Sequence, residues 1–546
     1  MTERKGIAMF LLHEACVVCL VGFLLTALAM AQGKTYNVLD YGANADGKTL
    51  CTEAIQKAID ACAADGGGTV RVPPGTFLTG ALRMKSGVAL LLEDGATLLG
   101  SQRHDDYYGP EFDDQGRAVE GTRGFRSLIH GDNIENVSIR GKGTIDGSGS
   151  AFRDKEKKRP KNVYLVNCRN VLVEDVKLRN AGCWMLHVRF CENVTIRNVD
   201  LFNHVSYNND GLDIDSCHNV TITGCRVDSD DDAVVLKSAS DQPCQGVHVS
   251  DCTISSHCNA LKMGTESGGG FVDITIKNCK VSSPKQSEKI YGRQRGLAGI
   301  ALEIVDGGRL ENVTVDNVEI EGVSVPIFLR LGNRARPYVK GAKEAKPGVG
   351  TFRNVRISNI TARGVSNIAC SITGLPGHFV ENVTLTNINL AFEGGGTKED
   401  ASRKIEERET AYPESTMFGT LPAYGFFCRH ARGLVFTNVQ LRTDTPDLRH
   451  AMVFDDVQEV TVDGLQAGFS TGGAPMIRMT QVQNAVIRRC LPTSPVDTLL
   501  QLEGDSTKAI VLENSDLTKV TTVLAPSPGV PEDALLQKDN KGAKAP

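Results

Sequence analysis

A short repeat constrains the fold of this chain more than any other feature of the sequence. Each copy is an asparagine, or in two copies glycine or aspartate, followed by apolar residues at every second position: NVSI at 136, NVLV at 170, NVTI at 193 and 219, GVHV at 246, DITI at 273, NVTV at 312, NVRI at 354 and NVTL at 382. Degenerate copies, EVTV at 459 and NAVI at 484, follow. The interval between copies is nearly constant from 170 to 273, and the wider gaps that lead to 312 and 354 indicate inserted loops.

The alternation predicts strands with one buried face, and a strand this short is not stable alone. Stacking solves the problem because each strand then pairs with its counterparts in the coils above and below. We therefore predict an all-β fold, a single-stranded right-handed parallel β-helix. The leading asparagines suit a turn with left-handed backbone whose amides pair along the stack. The alternative, a β-sandwich, favours spacings of about 8 to 12 residues and hairpin signals, which are scarce here.

The start of the repeat region carries a cap. Apolar periodicity and a following run of glycines predict a helix from about Thr52 to Ala64, between two strands. A solenoid must shield its open end, so we expect this short N-terminal helix to cover the first coil.

The N-terminal segment, 1–31, has the pattern of a secretory signal peptide. Arg4 and Lys5 precede an apolar run from Ala15 to Leu28, and Ala-Met-Ala at 29–31 resembles a cleavage site. The alternative is a membrane anchor, but a span needs about 20 apolar residues, more than this run provides. We predict a secreted or periplasmic protein with no membrane attachment after cleavage, a β-helix domain over 32–525 and a frayed polar tail over 526–546.

Composition excludes some functions and partners. The net charge is −5, and the calculated pI is near 6.2, so no global basic field exists to attract nucleic acid. Fourteen of the sixteen cysteines follow the predicted signal peptide. Cys225, Cys252 and Cys279 recur at a constant interval, and we expect them to stack as small buried apolar residues. No CxxC pair suggests zinc, and we predict no metal site, no cofactor and a monomer.

Acidic residues recur at the coil interval. The segments DGLDID from 210, DAVVLK from 232 and NALKMG from 259 align with one another, each about one coil after the last. In a β-helix Asp210 and Asp232 should lie on neighbouring rungs about 5 Å apart, with Asp231 beside them. Mutual repulsion raises the pKa of at least one carboxyl group, so that an acid and a base can coexist. Glycoside hydrolysis uses such a pair of carboxyl groups, one protonated and one ionised. The alternatives are a calcium-binding ladder of aspartates or solvated aspartates in turns.

These segments resemble the polygalacturonase family, glycoside hydrolase family 28. The opening DYGANADGKT resembles the N-terminal cap of the family, Asn208-Asn209-Asp210 resembles its Asn-Thr-Asp motif, and Asp231-Asp232 resembles its paired aspartates. The resemblance implies that Asp231 is the general acid, that Asp210 and Asp232 hold and activate water, and that Asn208 contacts the substrate.

Two further motifs of the family are altered. His257 resembles the histidine of the Gly-His-Gly motif, although Ser256 and Cys258 replace both glycines, and the resemblance implies a supporting catalytic role. Where the family has Arg-Ile-Lys, which binds the carboxylate of the substrate, this chain has Ala301 and Glu303 at the basic positions. A carboxylate there would repel galacturonate, which argues against plain endo-polygalacturonase activity.

Other cations could replace that motif. Lys237 and Lys262 are the best candidates for substrate binding because they lie in the same segments as the aspartates; further cations in or near inserted loops are Arg293, Arg295, Arg330 and Arg334. The polar stretch at 393–412 is expected to be a surface excursion, and the stretch from 412 to 433 could close one end of a cleft.

The sequence therefore predicts a hydrolase that cleaves a pectic polysaccharide or oligosaccharide with inversion. Three alternatives stay open: a rhamnogalacturonan hydrolase, a calcium-dependent pectate lyase, and a carbohydrate-binding β-helix without catalysis. Inserted loops around the groove favour exo action or short substrates.

Overall fold

The computed structural model describes residues 34–112, 118–125, 127–153, 159–285, 289–290, 292–338, 346–468, 470–526 and 528–542. The predicted signal peptide lies outside these ranges. Within them, no helix has the length and apolar character needed to cross a membrane.

The chain winds as a right-handed parallel β-helix, which confirms the fold predicted from the repeat. Successive coils stack their strands into three parallel sheets around one apolar interior. The first, which we call the site sheet, contains Leu82–Arg83, Ser127–Asp132, Lys161–Val166, Leu186–Arg189, Leu212–Asp215, Val234–Ser238, Asn259–Ser267, Ala298–Ile304, Val325–Leu331, Cys370–Thr373, the first parts of Ala423–Thr443 and His450–Ala467, then Ile477–Thr480, Val496–Glu503 and Val520–Leu524.

The second sheet, the repeat sheet, is built from the repeated sequence motif. Its strands are Thr35–Asn37, Gly68–Val72, Val88–Leu92, Glu135–Gly141, Arg169–Glu174, Glu192–Arg197, His218–Thr223, Cys244–Ser250, Gly270–Ser282, Arg309–Glu321, Thr351–Val365, Val380–Phe392, the second parts of the two longest strands, Gln483–Arg488, Lys508–Glu513 and Leu535–Lys538.

The third sheet completes each coil, and the long strands of the repeat sheet turn the corner into it. Its separate strands are Asp46–Leu50, Gly75–Thr79, Ala96–Gly100, Thr144–Asp146, Lys177–Arg179, Asp200–Asn203, Arg226–Ser229, Thr253–Ser256 and Leu491–Pro492. An antiparallel pair, Tyr108–Phe112 and Ala118–Phe125, lies outside the coils. Three 3-10 helices occupy Val38–Tyr41, His104–Tyr107 and Gly149–Phe152.

Among the described residues, two α-helices accompany the coils. Helix α1 (Thr52–Ala64) packs Ile55, Ile59 and Cys62 against the first coil, which confirms the predicted cap. Helix α2 (Lys398–Ala401) begins with a capping box formed by Thr397. The predicted polar excursion thus contains a short helix.

Left-handed asparagines mark the start of most repeat strands. Asn170, Asn193 and Asn219 have φ of 56°, 58° and 57°. Their amides form a ladder, since Asn193 Nδ2 donates to Asn170 Oδ1 at 3.1 Å and Asn219 Nδ2 donates to Asn193 Oδ1 at 3.3 Å. Asparagine tolerates this backbone region better than most residues, so the repeat keeps its coils in register through one residue type.

The interior is apolar and includes the stacked cysteines. Cys225, Cys252 and Cys279 are buried, and the described cysteines form no disulfide. At the far end, Leu535–Lys538 pairs with Lys508–Glu513. The winding therefore continues beyond residue 525, where the sequence predicts a frayed tail.

Candidate active site

Three carboxylates meet at the edge of the site sheet. Leu212 is in register with Val234, so the residues two positions before them, Asp210 and Asp232, also lie on neighbouring rungs. One oxygen from each of Asp210, Asp231 and Asp232 lies within 4.8 Å of the others. The spacing of the acidic segments thus predicts the geometry correctly, and we call these three residues the acidic trio.

Two buried lysines neutralise part of the trio. Lys237 Nζ lies 3.3 Å from Asp210 Oδ2, and Lys262 Nζ lies 3.0 Å from Asp232 Oδ2. Both lysines are at most 5% exposed. Asp231 has no comparable ion pair among the described residues. Because two ammonium groups already lie against the carboxylates, this arrangement suits acid–base chemistry better than it suits a calcium ion.

The three carboxyl groups have different proton affinities. Burial, followed by the charges of Asp210 and Asp232, raises the pKa of Asp231 well above its ordinary range. Burial also raises the pKa of Asp210, against the opposing effect of Lys237. Burial acts to raise the pKa of Asp232 as well, but Lys262 and Lys237 outweigh it, so that this pKa is lowered. The site thus holds a protonated acid beside an ionised base.

Asn259 and Asp213 complete this arrangement, and the sequence reading did not assign them a role. Asn259 Nδ2 donates to Asp232 Oδ1 at 2.8 Å, which fixes the plane of that carboxylate. Asp213 Oδ1 lies 3.5 Å from Lys237 Nζ. The signal for Asn259 is present in the sequence, since it occupies the position of Asp210 and Asp232 in the next copy.

His257 lies buried beside the turn that carries Asp231. The residue is fully buried, and its Nδ1 lies 3.1 Å from the carbonyl oxygen of Arg293. Its neighbour Ser256 donates to the carbonyl oxygen of Asp231 at 2.7 Å. Because burial lowers the pKa of His257, the ring is neutral at neutral pH.

Asn208 lies at the approach to the trio. Its φ is 47°, and its Oδ1 accepts a hydrogen bond from Arg159 at 2.8 Å. The arginine holds the side chain in place, and contact of Asn208 with a substrate stays a prediction.

Glu303, at the second basic position of the altered motif, is neutral and does not repel an anion. It is fully buried, and its Oε2 lies 3.4 Å from Thr265 Oγ1. Burial, against the opposing charge of Lys262, raises the pKa of Glu303 to about 8. Glu303 is therefore protonated at neutral pH. The expectation of a repelling carboxylate overlooked this burial, which the sequence does not reveal.

Three of the four loop cations proposed as replacements, Arg295, Arg330 and Arg334, have partners elsewhere. Arg295 pairs with Glu393 at 2.6 Å. Arg334 forms an ion pair with Asp306. Arg330, which is in register with Glu303, lies buried and donates to backbone carbonyls. Lys237 and Lys262 are thus the cations that reach the trio.

The predicted surface excursion packs against the site sheet near the trio. Arg429 donates to the carbonyl oxygens of Ile405 and Glu406, which fastens the segment onto the site sheet. Tyr412 follows it, is 56% exposed, and accepts from Thr265 Oγ1 at 2.9 Å. The segment therefore packs against the sheet instead of extending into solvent, and Tyr412 presents a ring beside the trio.

Trp184 lies near the trio, beside Lys237. The ammonium groups of Lys161 and Lys237 lie 4.5 and 4.7 Å from its ring centroid. An aromatic face flanked by cations suits the apolar face of a sugar ring that carries a negative group. The sequence contains one tryptophan, and that rarity is the signal by which this residue could have been selected.

Comparison with known proteins agrees with this geometry. The family model described as "Glycosyl hydrolases family 28" matches residues 62–411, more than half of the chain. A probable polygalacturonase of Vitis vinifera is 31% identical over 241 residues, covering 41% of this chain and 49% of that protein. An exo-poly-alpha-D-galacturonosidase of Dickeya chrysanthemi is 30% identical over 272 residues, covering 40% of this chain and 44% of that protein. The chain spans about half the length of the curated relatives it matches.

A solved structure shares the architecture. The exopolygalacturonase of Thermotoga maritima superposes with a TM-score of 0.57 at 24% identity, covering 75% of this chain and 92% of that chain. At this identity the likeness shows the fold.

Proposed function

The chain belongs to glycosyl hydrolases family 28, and from that membership we propose that it hydrolyses α-glycosidic bonds in a pectic polysaccharide or oligosaccharide. One observation carries the proposal. Asp231, whose pKa is raised well above its ordinary range, lies with its carboxyl oxygen within 4.8 Å of that of Asp232, whose pKa is lowered.

Each carboxyl group has a role in the proposed reaction. Protonated Asp231 donates its proton to the leaving glycosidic oxygen as the bond to the anomeric carbon breaks. Ionised Asp232 accepts a proton from the attacking water. Asp210 Oδ1 accepts no hydrogen bond from the described residues, so it is available to orient that water.

Inversion at the anomeric carbon rests on the family resemblance. General experience places inverting carboxyl groups about 6.5 to 9.5 Å apart, and the nearest oxygens of the trio are closer than that. Proton NMR of the first-formed anomer measures the stereochemical outcome.

The aromatic side chains and the packed segment around the acidic trio support action on chain ends or short substrates. Trp184 lies near Lys237, and Tyr412 lies near Lys262. The segment at 393–412, which Arg429 holds against the site sheet, would limit how far a long polymer can extend past Tyr412. The Dickeya and Thermotoga relatives are both named as exo-acting enzymes.

A rhamnogalacturonan substrate is the second candidate. Ala301 and buried Glu303 supply no cation at the two positions of the altered motif. A substrate with a neutral sugar at that subsite would lose nothing by this replacement, whereas galacturonate would lose an ion pair.

The proposal includes export. The charged, apolar and small-residue segments at the N-terminus fit a signal peptide, and a hydrolase of plant cell-wall polymers acts where those polymers are. We propose a secreted or periplasmic monomer.

A panel of defined oligogalacturonides and rhamnogalacturonan oligosaccharides, followed by proton NMR, tests the function. We expect a reducing-end product whose first-formed anomer is inverted relative to the substrate bond. Unsaturated products that absorb in the ultraviolet, with activity lost on chelation, would instead identify a lyase. Tight binding of an oligosaccharide without turnover would identify a binding module.

A further inference from the structure

A column of three metal-ligating side chains stands next to the acidic trio. Asn203 and Ser229 are in register at the ends of their strands in the third sheet, and the next coil repeats the match. The residues that follow these strand ends are His204, Asp230 and His257. They come from three successive coils at one position of the repeat.

The side chains of this column converge. One ligand atom from each residue lies within 4.8 Å of the others. The rings of His204 and His257 lie edge to face with centroids 5.7 Å apart, although their coils are separated by the coil of Asp230. Asp230 and His257 are fully buried, and the side chain of His204 is 4% exposed.

Hydrogen bonds fix which nitrogen of each ring carries the proton. His257 Nδ1 lies 3.1 Å from a carbonyl oxygen, that of Arg293, and His204 Nε2 lies 2.8 Å from Asp228 Oδ1. A carbonyl and a carboxylate oxygen only accept, so these two nitrogens donate. In the neutral form of each ring, which is the form that binds a metal, the lone pairs are on His204 Nδ1 and His257 Nε2.

Those two nitrogens are buried and accept no hydrogen bond from the described residues. A buried acceptor without a partner costs free energy, and here the two rings that carry such acceptors lie beside the buried carboxyl group of Asp230. Asp230 itself accepts from the backbone of Ile290 at 2.9 Å. A cation bound by His204 Nδ1, His257 Nε2 and Asp230 would satisfy both lone pairs.

We propose that His204, Asp230 and His257 bind a divalent transition-metal ion, with zinc as the best fit. Two imidazoles and one carboxylate are a ligand set that zinc uses, and a water would complete four-fold coordination. Metal-bound histidines normally donate their second N–H to a carboxylate or a backbone carbonyl. His204 and His257 show one of each arrangement.

The ion would position the general acid of the proposed function. Asp230 directly precedes Asp231, and Ser229 Oγ donates to the carbonyl oxygen of Asp231 at 2.8 Å. Coordination would tie this turn to the coils on both sides through His204 and His257. The role is structural, and the ion takes no part in bond cleavage.

Metal content and affinity in the purified full-length chain test the proposal. We expect about one equivalent of zinc per chain after dialysis against zinc, and a cobalt-substituted form with the visible absorption of a nitrogen–oxygen site. His204→Gln should weaken zinc affinity at least about 100-fold. His248→Gln, at an exposed histidine of the repeat sheet, is the matched control and should bind as the wild type does.

A second variant guards against misfolding. Asp228→Asn keeps all three ligands and should weaken zinc binding about 10-fold to 100-fold. Saturating zinc should raise the thermal midpoint of the wild type and of His248→Gln, and not that of His204→Gln. A folded His204→Gln protein that binds zinc as tightly as the wild type would overturn the proposal, as would a wild type without zinc affinity.

The metal proposal and the hydrolase proposal can fail separately. Asp231→Asn should retain zinc and lose hydrolysis. If zinc binding instead depends on Asp231 and not on His204, the ion belongs to the acidic trio and the column carries none.

Discussion

Lys262 Nζ lies 3.0 Å from Asp232 Oδ2, in an ion pair between neighbouring coils that is almost completely buried. This contact separates the proton affinities of two adjacent aspartates. Asp232 gains an ammonium partner and stays ionised, whereas Asp231 has burial and two like charges as its dominant influences and stays protonated. The winding of the chain thus produces an acid and a base from identical residue types.

Removing this ammonium group should shift the pH profile. In Lys262→Met, Asp232 loses the charge that lowers its pKa, so the pKa rises. Because the base works only when ionised, activity should need a higher pH, and the acidic limb of kcat/KM should move upward by about one unit or more. A pH series of kcat/KM on the same oligosaccharide measures this shift. Lys277→Met, at an exposed lysine of the repeat sheet, should leave the limb in place, and an unmoved limb in Lys262→Met would contradict the assignment.

Glu303 should make the protein less stable as pH rises. Its pKa is about 8 in the fold and about 4.3 in an unfolded chain. Between these values the folded state holds a proton that the unfolded state has released. The contribution of Glu303 to the free energy of unfolding is therefore largest below its unfolded-state pKa of about 4.3. It falls by about 1.4 kcal/mol per pH unit up to the folded-state pKa of about 8.

Glu303→Gln removes this titration. The free energy of unfolding of the variant, relative to the wild type, should increase steadily between about pH 5 and about pH 8. Urea unfolding at several pH values measures it. A constant difference across the range would mean that Glu303 is already ionised in the fold.

We expect the left-handed backbone of Asn193 to affect the free energy of unfolding more than its amide hydrogen bonds do. Asn193 has φ of 58°, where alanine is strained by about 1 to 2 kcal/mol and glycine is not. Both Asn193→Ala and Asn193→Gly lose the amide contacts, so the difference between them isolates the strain. We expect the alanine variant to unfold at lower urea concentration than the glycine variant; the reverse order would show that the backbone conformation is not the constraint.

Tyr412 should act on substrate binding and not on bond cleavage. Its exposed ring lies near Lys262, and its hydroxyl oxygen accepts from Thr265. Tyr412→Ala should raise KM for short oligosaccharides about 10-fold or more with little change in kcat, because the sugar loses a stacking surface. Tyr412→Phe retains the ring and should stay within about 3-fold of the wild type. A fall in kcat at constant KM in the alanine variant would place this residue in the chemical step.

The sequence predicts the parts of the molecule that repeat. Offsets of one coil place Asp210, Asp232 and Asn259 at one position of successive coils, and the register confirms it. Burial is not periodic, so the neutral state of Glu303 had no sequence signal. The sequence did not predict that the segment at 393–412 packs against the site sheet. Arg429 holds this segment through backbone carbonyl oxygens, which every residue type has.

The column of His204, Asp230 and His257 is a further feature that the sequence analysis did not select. His204, Asp230 and His257 follow one another at the coil interval, so their alignment is present in the sequence. The lack of CxxC pairs bears only on ligands that are close together in the sequence. In a solenoid, ligands are spaced by a whole coil, and a search at that interval would have selected this column.

The most direct test of the account is the turnover of Asp231→Asn on an oligosaccharide that the wild type cleaves. Asparagine keeps the size of the side chain and cannot donate the proton, so kcat should fall at least about 1000-fold while the unfolding midpoint and oligosaccharide affinity stay close to those of the wild type. A folded Asp231→Asn protein with undiminished kcat would contradict the assignment of Asp231 as the general acid.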